Sequence, residues 1–582
     1  MDSNKDKKIL LIFPPEWCFI GPHIALPSLS AQLKKEGYNS EVLDLNIKFF
    51  NDLLKKEHIE NEIEKIKKLY KEIPLREDFE TNLLIKEKYL QIEKIFKNIN
   101  TDKLPALIDK AINTIKTPNK FKDIKQTYKA LTILKAILDI AFFHHVQNNE
   151  SLNYKDLKEK ILNEENNIYY NYFLKIIPII KEKNASFIGI SVSSNQQAIA
   201  GLTLAYLLKK YTNTHINIGG SFFSHNPEIL KKYPEIFDFF VDSISIGDGE
   251  HSIIKLAKYI NGENELENIS NIAYLKNNEV FINIEKTNIQ LSKIETPDFS
   301  DINLDNYITP FPILPISMTR GCYWNKCSFC VLGYEKNYSE KPIDLLIEEL
   351  KYYKEKLNVS FFNIIDNSIS PNYLDKLCDE ILKNKLEIYF DASIRLEKAF
   401  NKKLLEKMFK AGFIKIYWGL ESINQKTLNS MNKGINAKEI KKILKDASDV
   451  GIWNIAYFIT GFPTESYEES QKTIDFIFKN KNIISEYCVT PFSLAKNSTC
   501  HKEAKKFGIK ISEQQEDFSS IINFSYQNNQ HNINQILNEI IKEKNKRDCI
   551  NYNIYNLISH YLFFYIKIYG KKYLTEKKNK IF

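Results

Sequence analysis

The sequence predicts an α/β protein. A doubly wound N-terminal sheet is split by a helical insertion, a partial parallel barrel of six β/α units follows, and a helical tail ends the chain. Three observations carry this. Short apolar runs bounded by Gly and Pro alternate with helical stretches in 5–48 and again in 182–262. Residues 48–180 between them are rich in Lys, Glu and Ile at 3.6-residue spacing, with no strand run. From residue 313, six apolar runs are separated by helical stretches, which is the rhythm of parallel βα units.

Each element has a local reason. Residues 8–13 are an apolar run stopped by Pro14-Pro15. Residues 25–36 have helical spacing and end at Gly37, a residue suited to a C-cap. A second strand lies at 41–45, and strands resume at 187–192, 215–218 and 243–246, each with a Ser- or Gly-rich exit. These make one five-stranded domain of residues 1–48 and 181–264, with 49–180 inserted. Residues 265–310 read as an irregular connector with a hairpin at Asn277-Asn278. The barrel occupies 311–500, with strands at 314–319, 361–365, 388–391, 415–418, 454–460 and 487–491. Residues 501–582 read as a mostly helical extension, whose aromatics Tyr561, Phe563, Phe564 and Tyr565 are expected to pack on the barrel.

Composition narrows the class. The 582 residues are 43% hydrophobic and 26% charged, which excludes a disordered or collagen-like chain. Lys plus Arg is 81 and Asp plus Glu 73, a net charge of +8 spread along the chain, which does not argue for nucleic acid. The run 9–13 is too short for a signal peptide. The apolar stretches 131–146 and 555–569 are broken by charged and His residues and fall short of the ~20 residues of a membrane span. Eight cysteines, three of them within nine residues, suit a metal site in a reducing compartment, so the chain reads as cytoplasmic.

That trio is Cys322, Cys327 and Cys330, in the order C-x4-C-x2-C just after the first barrel strand. A structural zinc site needs a fourth ligand, and no His or Cys follows within 40 residues of Cys330. Three thiolates from one loop suit a [4Fe–4S] cluster with one open iron, where a substrate can coordinate. A zinc knuckle completed from afar and buried unligated thiols are the competing readings.

On these residues the chain resembles the radical S-adenosylmethionine (SAM) enzymes, whose usual spacing is C-x3-C-x2-C. The resemblance extends to Phe329 between the last two cysteines, Gly419-Leu420-Glu421-Ser422 after the fourth strand and Gly461-Phe462-Pro463-Thr464-Glu465-Ser466 after the fifth. It implies a cluster on Cys322, Cys327 and Cys330, with SAM bound at its open iron and cleaved by one electron to a 5′-deoxyadenosyl radical. It further implies that Phe329, Asp366, Ser393, Arg395, Glu421, Gly461 and Glu465 serve SAM. A low-potential electron donor of the flavodoxin or ferredoxin type is the implied partner.

The N-terminal half, in turn, resembles the Rossmann-like cobalamin (B12)-binding domain found ahead of many such enzymes. The features are Pro14-Pro15, Gly219-Gly220 and Gly247-Asp248-Gly249-Glu250; no G-x-G-x-x-G dinucleotide fingerprint follows the first strand. Glu16, Ser193, Ser194, Gly219, Gly220, Gly247 and Glu250 are the residues this implies for cobalamin. The D-x-H-x-x-G motif that supplies a cobalt ligand elsewhere is absent, and His23 has the wrong spacing to replace it. The implied activity is methylation of an unactivated carbon in a peptide or small molecule, a ribosomally made peptide first. Non-methylating radical chemistry is the alternative, and a non-catalytic metal-stabilised binding protein a remote one. His144-His145 lacks a third ligand, and Cys488 and Cys500 are too few for a second cluster.

Overall fold

The computed structural model describes residues 7–76, 82–143, 152–285, 289–331, 337–526 and 552–581. His144, His145 and Cys549 lie outside the described residues.

The first sheet has seven strands: β1 (Ile9–Phe13), β2 (Ser40–Asp44), β3 (Phe187–Ser191), β4 (His215–Gly219), β5 (Ser243–Ser245), β6 (Ile272–Lys276) and β7 (Glu279–Asn283), in the order β2-β1-β3-β4-β5-β6-β7. The first five are parallel, so the chain leaves β1 in one direction to β2 and in the other to β3. That reversal creates a crevice at the carboxyl ends of β1 and β3. Every residue of β1 and β3 is buried, as strands covered on both faces require. The expected five strands gain two antiparallel ones, because the hairpin β6–β7 continues the sheet from β5. Its turn holds Asn277 and Asn278 at φ of 52° and 63°, left-handed angles that Asn tolerates better than most residues.

The insertion between β2 and β3 is helical, from Leu45–Leu53 to Ile168–Glu182. Its apolar faces, including Ile59, Ile63, Leu134, Ile137 and Phe173, share one core with the inner face of the first sheet.

The second sheet holds six parallel strands: β8 (Ile313–Ile316), β11 (Phe361–Ile364), β12 (Tyr389–Arg395), β13 (Phe413–Glu421), β14 (Trp453–Thr460) and β15 (Glu486–Pro491), joined in that order. No pairing joins β8 to β15 among the described residues, so it is a partial barrel. A separate two-stranded ribbon, β9 (Thr319–Arg320) with β10 (Ser339–Glu340), lies between β8 and β11 along the chain.

The region after the barrel departs from the expected helices. Residues 494–526 carry four short strands, β16 (Leu494–Ala495), β17 (Ile509–Ile511), β18 (Ile521–Ile522) and β19 (Phe524–Tyr526), in two antiparallel pairs. Strands of two or three residues are too short to show a period of two. The C-terminal helix Tyr552–Ile581, interrupted at Gly570, packs across the amino ends of the barrel strands. Phe564 meets Phe361 at a ring separation of 4.9 Å, the Tyr561 hydroxyl donates to the Ile308 carbonyl at 2.6 Å, and Lys415 Nζ donates to the Ser559 carbonyl at 3.2 Å. The helix therefore covers the floor of the barrel, opposite its mouth. No helix among the described residues is long and apolar enough to cross a membrane.

Candidate functional site

The cysteine loop leaves β8 under the control of a buried carboxylate. Asp366, two residues past β11, accepts from Ser317 Oγ at 2.9 Å, Met318 N at 2.8 Å and Thr319 N at 2.7 Å. Burial pushes its carboxyl up to about 6, against the downward pull of those hydrogen bonds. β8 thus ends at Ile316, three residues before the expected end, because the next residues bend onto Asp366.

Gly321, at φ of 82°, then turns the chain into the loop, where Cys322, Cys327 and Cys330 are half-buried and in no disulfide. The longer gap between the first two cysteines contains Asn325 at φ of 46° and Trp324. Trp324 Nε1 donates to the Asn432 carbonyl at 2.8 Å, and the Arg395 guanidinium lies over its ring, 4.0 Å from the centroid. A Cβ on Gly434, which has φ of 66°, would stand 2.1 Å from Trp324 Cζ2. Ser328 ties the rest of the loop down: its N–H donates to Met431 O at 2.9 Å, its hydroxyl to Ser430 O at 3.0 Å, and its carbonyl accepts from Cys500 N at 2.8 Å. The cysteine loop therefore rests on the 430–434 segment that follows β13.

Beside it lies a buried ion pair. Lys433 Nζ stands 2.7 Å from Glu421 Oε1. Burial opposes the Lys433 charge, and the Glu421 carboxylate more than restores it, so the ammonium is held above the usual lysine range. Lys433 also lies 6.0 Å from the Phe329 ring centroid. Burial pushes the Cys327 thiol up to about 11 in the metal-free protein, whereas a bound metal deprotonates a coordinating thiol outright. Among the described residues no three His, Cys, Asp or Glu side chains group around a single-ion position. A cubane takes one thiolate per iron, so its ligands do not converge on one point.

The other predicted residues divide. Ser393 and Asp366 line a barrel cavity of about 400 Å³ with Asn363, Asn367, Tyr417 and Tyr457. Arg395 is 4% exposed; its Nη2 donates to Lys433 O at 2.5 Å, Nη1 stands at an ion-pair distance of 3.6 Å from Glu397 Oε2, and neither Nε nor Nη1 makes a hydrogen bond. Glu465 is spent on its own turn, accepting from Gly461 N at 3.0 Å and Ser470 Oγ at 2.5 Å, and burial pushes its carboxyl up to about 7. The sequence reading missed Lys433, Gly434 and the stacking of Trp324 on Arg395. The pair Lys433-Gly434 twelve residues after Glu421 was the available signal.

At the carboxyl ends of the first sheet lies a cleft of about 220 Å³ whose lining includes Gly189, Ser191, Ser193, Gly219, Gly220, Gly247, Glu250 and Arg320. Gly220, at φ of 108°, is packed so that a Cβ would stand 2.2 Å from the Val192 carbonyl oxygen. Ser194 and Glu16 are not in this lining: the Ser194 hydroxyl is buried without a hydrogen-bond partner, and Glu16 accepts from the Tyr169 hydroxyl. Glu250 does line the cleft, but its carboxylate is held by Arg320 at 2.7 Å. His23 is stacked on Phe13 at 4.8 Å and accepts from Ala25 N at 3.2 Å; burial pushes it down to about 4, so it is neutral.

Residues 316–477 match the family described as the radical SAM superfamily. An uncharacterized methyltransferase of Pyrococcus horikoshii is 28% identical over 53% of this chain and 67% of its own length. The bacteriochlorophyllide d C-12(1)-methyltransferase of Chlorobaculum tepidum is 30% identical over 33% of this chain, a match spanning 43% of that enzyme. Among solved structures, the cobalamin-dependent radical enzyme OxsB, with aqua-cobalamin and SAM bound, covers 97% of this chain and 72% of its own at a TM-score of 0.59 and 14% identity. The methyltransferase TsrM of Kitasatospora setae, with cobalamin and a [4Fe–4S] cluster, covers 88% of this chain and 81% of its own at 0.53 and 12%. Such a domain implies a [4Fe–4S] cluster and SAM, and this chain carries a domain of the radical SAM superfamily at residues 316–477, behind a doubly wound N-terminal domain.

Proposed function

We propose that the chain is a cobalamin-dependent radical SAM methyltransferase acting on an unactivated carbon of a peptide or small molecule. One observation carries this reading. A cleft lined by the small residues Gly189, Ser191, Gly219 and Ser245 reaches Arg320, two residues before Cys322.

The residues present fit both groups. Three cysteines in one loop, none in a disulfide, are the donor set of a cluster with one open iron. Glycine and serine along the cleft leave room for a corrin tail to approach the backbone, and Ser191 and Ser193 place hydroxyls in its wall. When bound, the cluster and cobalamin supply the electron for SAM cleavage and a transferable methyl group.

The protein's own part is placement. Cys322, Cys327 and Cys330 hold the cluster. Phe329 and the Glu421–Lys433 pair border the place where SAM binds, with Glu421 at the carboxyl end of β13. Arg395 has no hydrogen bond at Nε or Nη1, and its Nη1 stands 3.6 Å from Glu397 Oε2, so Nε is the group it offers to a ligand carboxylate. Gly461 and Glu465 shape the neighbouring turn, and Ser393 belongs to the cavity wall. That wall has Asn367, Ser393, Tyr417 and Tyr457, uncharged hydrogen-bonding groups that suit a polar substrate surface. A low-potential flavodoxin or ferredoxin supplies electrons.

The test uses anaerobic protein loaded with cluster and hydroxocobalamin, given SAM and a strong reductant. Formation of both 5′-deoxyadenosine and S-adenosylhomocysteine supports the reading. 5′-Deoxyadenosine with no S-adenosylhomocysteine supports non-methylating radical chemistry instead.

A further inference from the structure

We infer that Arg320 is a positioning residue that locks the N-terminal cleft to the cysteine loop. Its guanidinium crosses between the two domains. Nη2 donates to Glu250 Oε1 at 2.7 Å, and Nη1 stands 3.5 Å from Asp248 Oδ2, an ion-pair distance longer than a hydrogen bond. All three side chains are largely shielded from water, with exposures of 21%, 8% and 16% for Arg320, Glu250 and Asp248. Two carboxylates around one planar guanidinium fix direction as well as distance, which an ammonium does not.

What lies at each end gives the contact its role. On the barrel side, the backbone at Met318 and Thr319 is clamped by Asp366, Arg320 itself pairs with Ser339, and Cys322 is two residues on. On the other side, Gly247 N donates to Ser224 Oγ at 2.8 Å, and Glu250 opens the helix Glu250–Ile260. A continuous set of fixed contacts therefore runs from Ser224 through the 247–250 loop and Arg320 to Asp366. The Glu250 carboxylate, expected to serve a cofactor, serves this contact together with that of Asp248. Group transfer between two centres depends on their separation and alignment, and a displacement of about 1 Å is enough to lose it. Arg320 acts through the two loops it joins.

The cobalamin half of this inference rests on the function proposed above; the cluster half does not. Coupling between two sites is reciprocal, so the experiment works in both directions. Glu250→Gln, an isosteric change in the N-terminal domain, is expected to alter the EPR line shape of the reduced cluster in the barrel. Arg320→Gln is expected to weaken hydroxocobalamin binding, followed by absorbance titration, at least about fivefold. Arg320→Lys should restore only part of that affinity. The double variant should be no worse than the worse single one, since either change breaks the same contact. Circular dichroism restricts the comparison to folded protein; if Arg320→Gln does not fold, Glu250→Gln decides. An unchanged EPR spectrum in Glu250→Gln with unchanged cobalamin affinity in Arg320→Gln would overturn the inference, as would effects that multiply in the double variant. Wild-type protein that takes up no cobalamin would overturn the proposed function instead, and the cluster spectrum alone would then decide the latch.

Discussion

Gly434 shows how much of the site hangs on a single atom. It is held at φ of 66°, and its missing Cβ makes room for the Trp324 ring. Gly434→Ala should therefore displace the indole from Arg395, cost about 1–3 kcal/mol at the site, and reduce iron per chain after anaerobic reconstitution. Glu465 gives a second test, this one in pH. Its carboxyl is held up at about 7 by burial, so the folded state favours the neutral acid. The stability it contributes is full below the ordinary glutamate value of 4.5 and is lost as pH rises through about 7. Wild-type protein should thus lose up to about 3 kcal/mol relative to Glu465→Gln between those pH values, read from paired denaturant titrations. The three cysteines were legible because their spacing is local. Lys433, Gly434 and Arg395 meet the loop from more than sixty residues away, and no local pattern announces a stacked guanidinium or a buried ion pair.

Elements explain where the sequence is readable and where it is not. The five parallel strands of the first sheet and the six of the second are apolar runs with sharp ends, so periodicity reveals them. The strands β16–β19 are too short for that, and the hairpin β6–β7 is legible as a hairpin but not as an extension of the first sheet, since its partner β5 is identified only by tertiary pairing. The C-terminal helix carried a readable apolar stripe, yet the stripe does not say which end of the barrel it covers. It covers the floor, and Phe564 is its anchor, fully buried against Phe121, Phe311 and Phe361. Phe564→Ala should cost about 3–5 kcal/mol, seen as a lower urea midpoint of the first unfolding transition. Lys433→Met leaves the Glu421 carboxylate buried without its counter-ion, which should cost about 3–5 kcal/mol and lower 5′-deoxyadenosine formation by at least tenfold.

At the scale of the molecule, two sheets each present the carboxyl ends of their strands to a working site. The first sheet offers a cleft floored by small residues, the second a cysteine loop and a cavity with polar lining, and Arg320 lines the cleft while standing at the root of that loop. The insertion and the C-terminal helix share one core with the first sheet, so the two halves are packed together at the floor as well as at the top. The whole arrangement presupposes a cluster with an open iron that SAM can reach. EPR of the anaerobically reconstituted, reduced protein with and without SAM tests that most directly. A [4Fe–4S] signal that shifts on adding SAM, and that is absent when Cys322, Cys327 and Cys330 are together replaced by Ala, is the predicted result. Protein that takes up zinc and no iron, or whose cluster signal survives the triple replacement, would contradict it.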